Sequence, residues 1–288
     1  MAPLVSVGTP ANSPTYFVAS GPDTFRPTPV AAGYWGDGVL SGPAVAGLAA
    51  WALDDRFGAT DLLPSRFTID LLRPATSAPT TVHTRVLRDG RRMRSSECDV
   101  VQDGRLVARA TMLQYLISGA PGGLEWTTES SFEPPRDASG DDVYVGSEEV
   151  GWSPMGVHHQ NVQRKRAYYR GCDVVAGRRT SPFVRSVIVA EAATNLVTNL
   201  GTEGIGYING DLTVALSRLP RSEHLGIQAD SHWSADGISV GNATLFDESG
   251  PFGTGLVTAI ANPAARIDFG GTAPVSAPGA ELFTKRSA

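Results

Sequence analysis

Residues 67–74, FTIDLLRP, and residues 212–220, LTVALSRLP, are two versions of one phrase: an alternating, partly β-branched run that closes on Arg and Pro. Thr68 matches Thr213 and Arg73 matches Arg218 at a single offset. Period-two alternation of this kind predicts a strand with one buried face. A strand written twice means that the chain is to be read as two halves built on one plan.

The correspondence continues downstream. TVHTRVLRDGRR (81–92) and LGIQADSHWSADG (225–237) both alternate and both reach an Asp-Gly turn signal. RSSECDVVQDGRLVARATMLQYL (94–116) and ISVGNATLFDESGPFGTGLVTAIA (238–261) each divide into two strands, about turns at 102–105 and 247–251. Each half therefore ends in a long antiparallel meander.

A helix precedes each meander. SGPAVAGLAAWALDD (41–55) is rich in Ala and Leu behind a Ser-Gly-Pro start. TSPFVRSVIVAEAATNLVTNLG (180–201) offers Thr180 or Ser181 as N-cap, Pro182 in the first turn and Gly201 as the stop. The predicted architecture is α+β: in each half a sheet of four to six strands curls round a central helix, and the two halves pair edge to edge, which removes exposed strand edges. The halves span 14–118 and 143–263. SGAPGGLEWTTESSFEPPRDASGDD (118–142) lacks periodicity and is rich in Gly, Pro and acid, so 119–142 reads as a linker and 264–288 as a tail of the same character.

Bulk properties narrow the function. A hydrophobic fraction of 41% over 288 residues supports a large core, and 32 Gly with 20 Pro favour a turn-rich sheet protein over a helical bundle. A net charge of -5 repels polyanions, and no basic run carries interleaved aromatics in the manner of a nucleic-acid surface. The densest positive segment, QRKRAYYRG (163–171) with GRRTS (177–181), reads as a solvated strand and loop with some capacity to hold a phosphate. Two cysteines, Cys98 and Cys172, form no CxxC and belong to no His/Cys cluster, so no disulfide framework or zinc site is expected. No 18-residue apolar stretch and no leader pattern occur, and the expectation is a soluble cytoplasmic protein.

One carboxylate interrupts an otherwise apolar, small or neutral run: Glu191 in SVIVAEAATNL (186–196). Positions 184, 187, 191, 194 and 198 share a helical face that passes from Val to Glu to Thr, while the opposite phase runs through Phe183, Ala190, Leu196 and Val197. Either face can be the buried one. A Glu desolvated beside apolar strands has a raised pKa and suits general base chemistry.

Other motifs have plainer readings. His158 and His159 lack an Asp or Glu at ligand spacing and read as a strand-end pair. GIGYING (204–210) precedes a strand and lacks the Lys of a phosphate loop, so it reads as a turn. The first helix start, LSGPAV (40–45), offers backbone N–H groups, and Gly42 allows a ligand to approach closely. AGYWGDG (32–38) places Tyr34, Trp35 and Gly36 as walls of a ligand mouth or as a plug under the loop.

The wording of several stretches resembles the acyl-CoA thioesterase II-like family, whose fold is a double hotdog. They are FRPTPVAAGYWGDG (25–38), PSRFTIDLLRP (64–74), VLRDGRRMRSSECDVVQDGRLVARATML (86–113), INGDLTVALSRLPRSEHLGI (208–227) and LFDESGPFGTG (245–255). The resemblance implies hydrolysis of a medium or long fatty acyl-CoA, with no metal or organic cofactor, no nucleic acid and no membrane span; a homo-oligomer is compatible with it. In that family an Asp on the second helix, with a Thr and a Gln from neighbouring strands, activates water. Glu191 falls at the Asp position, Tyr207 near the Thr, and Val257 near the Gln with Thr258 beside it; Ser41 stands where relatives carry a His. The expected site is therefore Glu191 as base, Thr194, Tyr207 and Thr258 as orienting groups, and Tyr34, Trp35, Gly36, Ser41 and Gly42 against the substrate. Because two of the three polar roles are altered, the rival reading is a hotdog protein that binds an acyl thioester or polyketide-like ligand without cleaving it. The His/Asp pairing of a hotdog hydratase is not visible.

Overall fold

A computed structural model describes residues 14–138 and 142–270. The first half contains β1 (Thr15–Ala19), β2 (Thr24–Pro27), α1 (Gly42–Phe57), β3 (Leu62–Leu71), β4 (Thr80–Gly90), β5 (Met93–Gln102) and β6 (Arg105–Leu116). The second contains β7 (Tyr144–Ser147), β8 (Gly151–Pro154), β9 (Arg166–Tyr169), β10 (Asp173–Val175), α2 (Pro182–Asn199), β11 (Leu200–Gly201), β12 (Gly204–Ile205) and β13 (Tyr207–Asn209). It ends with β14 (Asp211–Leu216), β15 (Leu225–Ala235), β16 (Ile238–Asp247) and β17 (Gly250–Ala261). Each helix is followed by a repeated strand and then a meander.

The long strands join one sheet in the order β4-β5-β6-β3-β14-β17-β16-β15. Its centre is the antiparallel pair β3 and β14, the two copies of the repeated phrase, in a register that sets Thr68 opposite Thr213. The matched arginines both tie the strand end to the meander beside it. Arg73 Nη1 donates to the Leu106 carbonyl at 2.7 Å, and Arg218 grips Asp247 bidentately at 2.6 and 2.8 Å. Hairpin turns are fixed by left-handed residues: Asp103 and Gly104 join β5 to β6, and Asp236 and Gly237 join β15 to β16. Two successive positive φ values make the tight turn that matches strand twist.

The helices pack on the sheet, α1 against β3 to β6 and α2 against β14 to β17, and they touch each other. At their crossing Gly47 takes the place of a larger residue, since a β-carbon there would stand 3.0 Å from Ile188. The N-cap of α2 is Ser181, whose hydroxyl accepts from the Val184 N–H at 3.3 Å; Thr180 instead accepts from the Val174 N–H at 3.1 Å. The two candidate faces of α2 resolve together: apart from Pro182 and Ala192, every residue of this helix is buried. A helix held between a sheet and a second helix has no solvent face, so a phase argument could not choose one.

The halves are also laced at their margins. β1 pairs in parallel with β10, Phe17 opposite Val175. Beside it Arg185 and Asp173 form a buried ion pair at 3.2 Å, with Arg185 donating also to the Arg170 carbonyl at 3.0 Å. Between β6 and β7 the described residues form no helix or strand, yet Phe132 is fixed, stacked on Phe246 with ring centroids 5.0 Å apart. Gly226 lies beneath this ring, where a β-carbon would come within 2.4 Å of it. After β17 the chain turns back, and Ile267 exchanges both backbone hydrogen bonds with Ile205 at 2.9 Å. The tail expected from residue 264 is thus packed on the molecule as far as it is described; residues 271–288 lie outside the described part. Among the described residues, no helix is long and apolar enough to cross a membrane.

Candidate active site

A cavity of about 340 Å³ opens between the start of α1, the middle of α2, β13 and the returning C-terminal segment. Its walls are mainly apolar; its polar lining includes Glu191, Asn209, Ser41, Tyr16 and Tyr169, together with Asn195 and Arg73. A mostly apolar cleft with a few convergent polar groups is the usual form of a small-molecule site.

Glu191, at the middle of α2, is 4% exposed. Its Oε1 accepts from Asn209 Nδ2 at 3.0 Å. The carboxylate lies against the first residue of α1, so that a β-carbon on Gly42 would stand 2.0 Å from Oε1. Only glycine permits this approach. Burial pushes the Glu191 carboxyl up to about 7, while the Asn209 hydrogen bond pulls it down in part. Within the described residues, Ser41 Oγ and Asn209 Oδ1 are buried without a hydrogen-bond partner. Ser41 is the N-cap of α1 but makes no capping bond, so its hydroxyl is left available to the cavity that it lines.

A second group faces the same space. Tyr16 and Tyr169 both line it, close enough to Glu191 for its charge to act on them. Burial, chiefly, raises the pKa of both phenols, so both stay protonated and able to donate. Burial, which strips most of the solvent from its charge, is also what raises the Glu191 pKa.

The predicted site residues separate into two sets. Glu191, Tyr34, Trp35, Ser41 and Gly42 line the cavity. Gly36 does not; it is exposed at the loop tip, where its φ of 154° serves the turn. Thr194 is turned to β17, its hydroxyl filling the room above Gly255, where a β-carbon would lie 2.5 Å from it. Helical spacing put Thr194 beside Glu191, but three steps of about 100° leave it about 60° round the helix, on the side that meets β17. Thr258 is engaged elsewhere: its hydroxyl and its N–H both donate to Asp211. Val257 is core, with no exposure. Tyr207 contributes its carbonyl, which accepts from Asn195 Nδ2 at 3.1 Å, and its side chain does not line the cavity.

Asn209 is the partner that the sequence reading missed. It stands two residues beyond Tyr207, hence on the same side of the strand by alternation, and as an amide it can both donate and accept. GIGYING, read as a turn, in fact holds the two short strands β12 and β13, and β13 delivers Asn209. The other motifs lie away from the cavity. His158 and His159 sit on a 3-10 turn, not a strand end, and both Nε2 atoms meet Ser153 Oγ at 2.7 and 2.9 Å. The basic segment is less solvated than its sequence implies. Lys165 is buried and donates to the carbonyls of Asn161 and Gln163, and Arg166 lies over the Trp152 ring.

Comparison with known proteins places this geometry. A family model described as the acyl-CoA thioesterase N-terminal domain matches residues 31–115, and one described as the acyl-CoA thioesterase C-terminal domain matches residues 126–259. Curated proteins give no match. Among solved structures, a conserved hot dog fold protein from Alicyclobacillus acidocaldarius aligns with a TM-score of 0.64 at 15% identity. The tesB protein of Mycobacterium avium subs paratuberculosis and the acyl-CoA thioesterase II TesB2 of Mycobacterium marinum each align with a TM-score of 0.60 at 14% identity. In all three the match covers 86% of this chain and 96% of the other. At such identity the likeness shows the hotdog fold alone. The family models together span most of both halves, and the chain belongs to the acyl-CoA thioesterase family.

Proposed function

We propose that this protein hydrolyses the thioester of a medium or long fatty acyl-CoA on a double hotdog scaffold, each half wrapping its own helix, with Glu191 as general base. The observation that carries the reading is a single carboxyl, buried on the wall of an apolar cavity and held near pH 7 by that burial. A base titrating near the working pH combines the right protonation state with a useful driving force.

In this mechanism Glu191 takes a proton from a water molecule as its oxygen attacks the thioester carbonyl carbon. Asn209 fixes the carboxylate through Nδ2 and has Oδ1 left to orient the water. Negative charge then grows on the former carbonyl oxygen. The Gly42 N–H, in the first turn of α1 and therefore without an intrahelical acceptor, and the Ser41 hydroxyl are donors on the cavity wall suited to receive it. Collapse of the tetrahedral intermediate breaks the C–S bond, and the proton held by Glu191 passes to the leaving thiolate. The products are a free acid and coenzyme A.

The positions of Thr194 and Thr258 support the second reading, ligand binding without cleavage, because Asn209 alone then assists the carboxylate. Release of free thiol from a panel of acyl-CoAs separates the two. Turnover by the parent that falls about 10²-fold or more in Glu191→Gln supports hydrolysis. Equal rates in parent and variant remove Glu191 from the chemistry, and tight binding without thiol release selects the binding protein.

A further inference from the structure

The walls of the cavity differ sharply in exposure from one side to the other. On one side stand Tyr34 and Leu72, 45% and 50% exposed. On the other stand Leu196, Ile205, Met155 and Phe269, none more than 6% exposed. The Glu191 carboxylate touches Gly42, in the element that follows the Tyr34 loop, and Asn209, in the strand that follows Ile205, so it contacts chain segments that belong to both walls. A ligand whose reacting carbon sits at Glu191 therefore has one end toward water and the other against a closed apolar floor. For an acyl-CoA the polar nucleotide portion belongs at the open side and the acyl end at the floor.

That floor is supplied in part by the C-terminal segment. The reciprocal Ile205 and Ile267 backbone bonds hold it down, and the Phe269 N–H donates to Gln160 Oε1 at 2.6 Å. Gly204, with φ of 89°, lets the segment lie on the backbone of β12, since a β-carbon there would come 2.1 Å from the Ile267 carbonyl oxygen. Phe269 is thus a large buried ring on the cavity wall, carried by a segment held down at Ile205 and at Gln160.

We propose that Phe269 sets the length of acyl chain that the cavity accepts. The inference rests on the acyl thioester reading above but not on turnover. A ring fixed at the floor stops the growing chain, and each methylene that still finds room tightens binding about fourfold.

The test measures binding of non-hydrolysable S-alkyl-CoA thioethers, from octyl to hexadecyl, to the full chain and to Phe269→Ala and Phe269→Trp. The expected result is that affinity keeps rising through about two or more further methylenes in the Ala variant and stops earlier in the Trp variant. Should Phe269→Ala not fold, Phe269→Leu gives the same direction with a smaller step. An unchanged length profile in the variants overturns the proposal, as does a loss of affinity by one common factor at every length, which marks a structural role. A shifted profile in a parent that releases no thiol from acyl-CoA sinks only the hydrolase reading. Thiol release with an unshifted profile sinks only the role of Phe269.

Discussion

The carboxylate of Glu191 occupies the ground where a side chain on Gly42 would have to stand, with Oε1 2.0 Å from the position of the missing β-carbon. The two residues belong to different halves of the chain, so this carboxylate is positioned by the contact between the two helices. Gly42→Ala must push the carboxyl off this position. The expected outcome is a fall in turnover of about 10²-fold or more with a melting temperature lower by only a few degrees, since one methyl in a packed site costs about 1–3 kcal/mol. Unchanged kinetics in a folded variant would show that the observed carboxylate position does not matter to the reaction.

Burial of Glu191 also makes a stability prediction with a definite sign. Its carboxyl moves from an ordinary 4.5 to about 7 on folding, so between these values the native state holds a proton that the unfolded chain has released. Stability therefore falls as pH rises through that window, and above it the full cost of about 3 kcal/mol is present. Glu191→Gln removes the charge and keeps the shape. Its melting temperature should exceed that of the parent at about pH 8 and approach it near about pH 5. Thermal melts across this range check the sign, and a variant less stable than the parent at the alkaline end contradicts it.

Asn209 lowers the Glu191 pKa by donating to the ionised form. Asn209→Ala should therefore move the acid limb of the pH profile of kcat to higher pH, as well as lowering its plateau by about tenfold or more. A merely structural Asn209 would lower expression or melting temperature and leave the limb in place.

The β3 and β14 pair predicts how the chain behaves when cut. Severing it near residue 125 leaves an unpaired edge on each piece, and β1 and β10 lose each other as well. Each half expressed alone should aggregate, and co-expression of both should restore a soluble complex visible by size-exclusion chromatography. Two soluble, monomeric and cooperatively melting halves would refute the shared sheet.

The repeated strand, the two helices and the meanders were legible in the sequence because they rest on short-range rules. Alternation, Asp-Gly turns and a Ser-Pro helix start act within a few residues. Glu191 was legible for a related reason, since a lone carboxylate in a run of Val, Ile and Ala has few places to go in a folded core. The positions of Tyr34, Trp35, Ser41 and Gly42 on the cavity wall followed from the loop and helix start that carry them.

The partners of Glu191 were decided by tertiary structure. Thr194 shares its helix face approximately, but its hydroxyl points into the space above Gly255 of β17, where it has no hydrogen-bond partner among the described residues, and Asp211 claims Thr258. Asn209 reaches the carboxylate only because β13 pairs with β17 and passes α2 at that height. Phe269 joins the site from a segment with no periodicity at all, through backbone bonds to Ile205 that no local pattern encodes. Sequence by itself determined the two helices and the long strands, whose patterns are set by neighbours along the chain, but not the short strands β12 and β13, and β13 forms by pairing with the distant β17. Which side chains meet was left to the packing of elements far apart in sequence, where one close approach at a glycine decides what a whole helix face can touch.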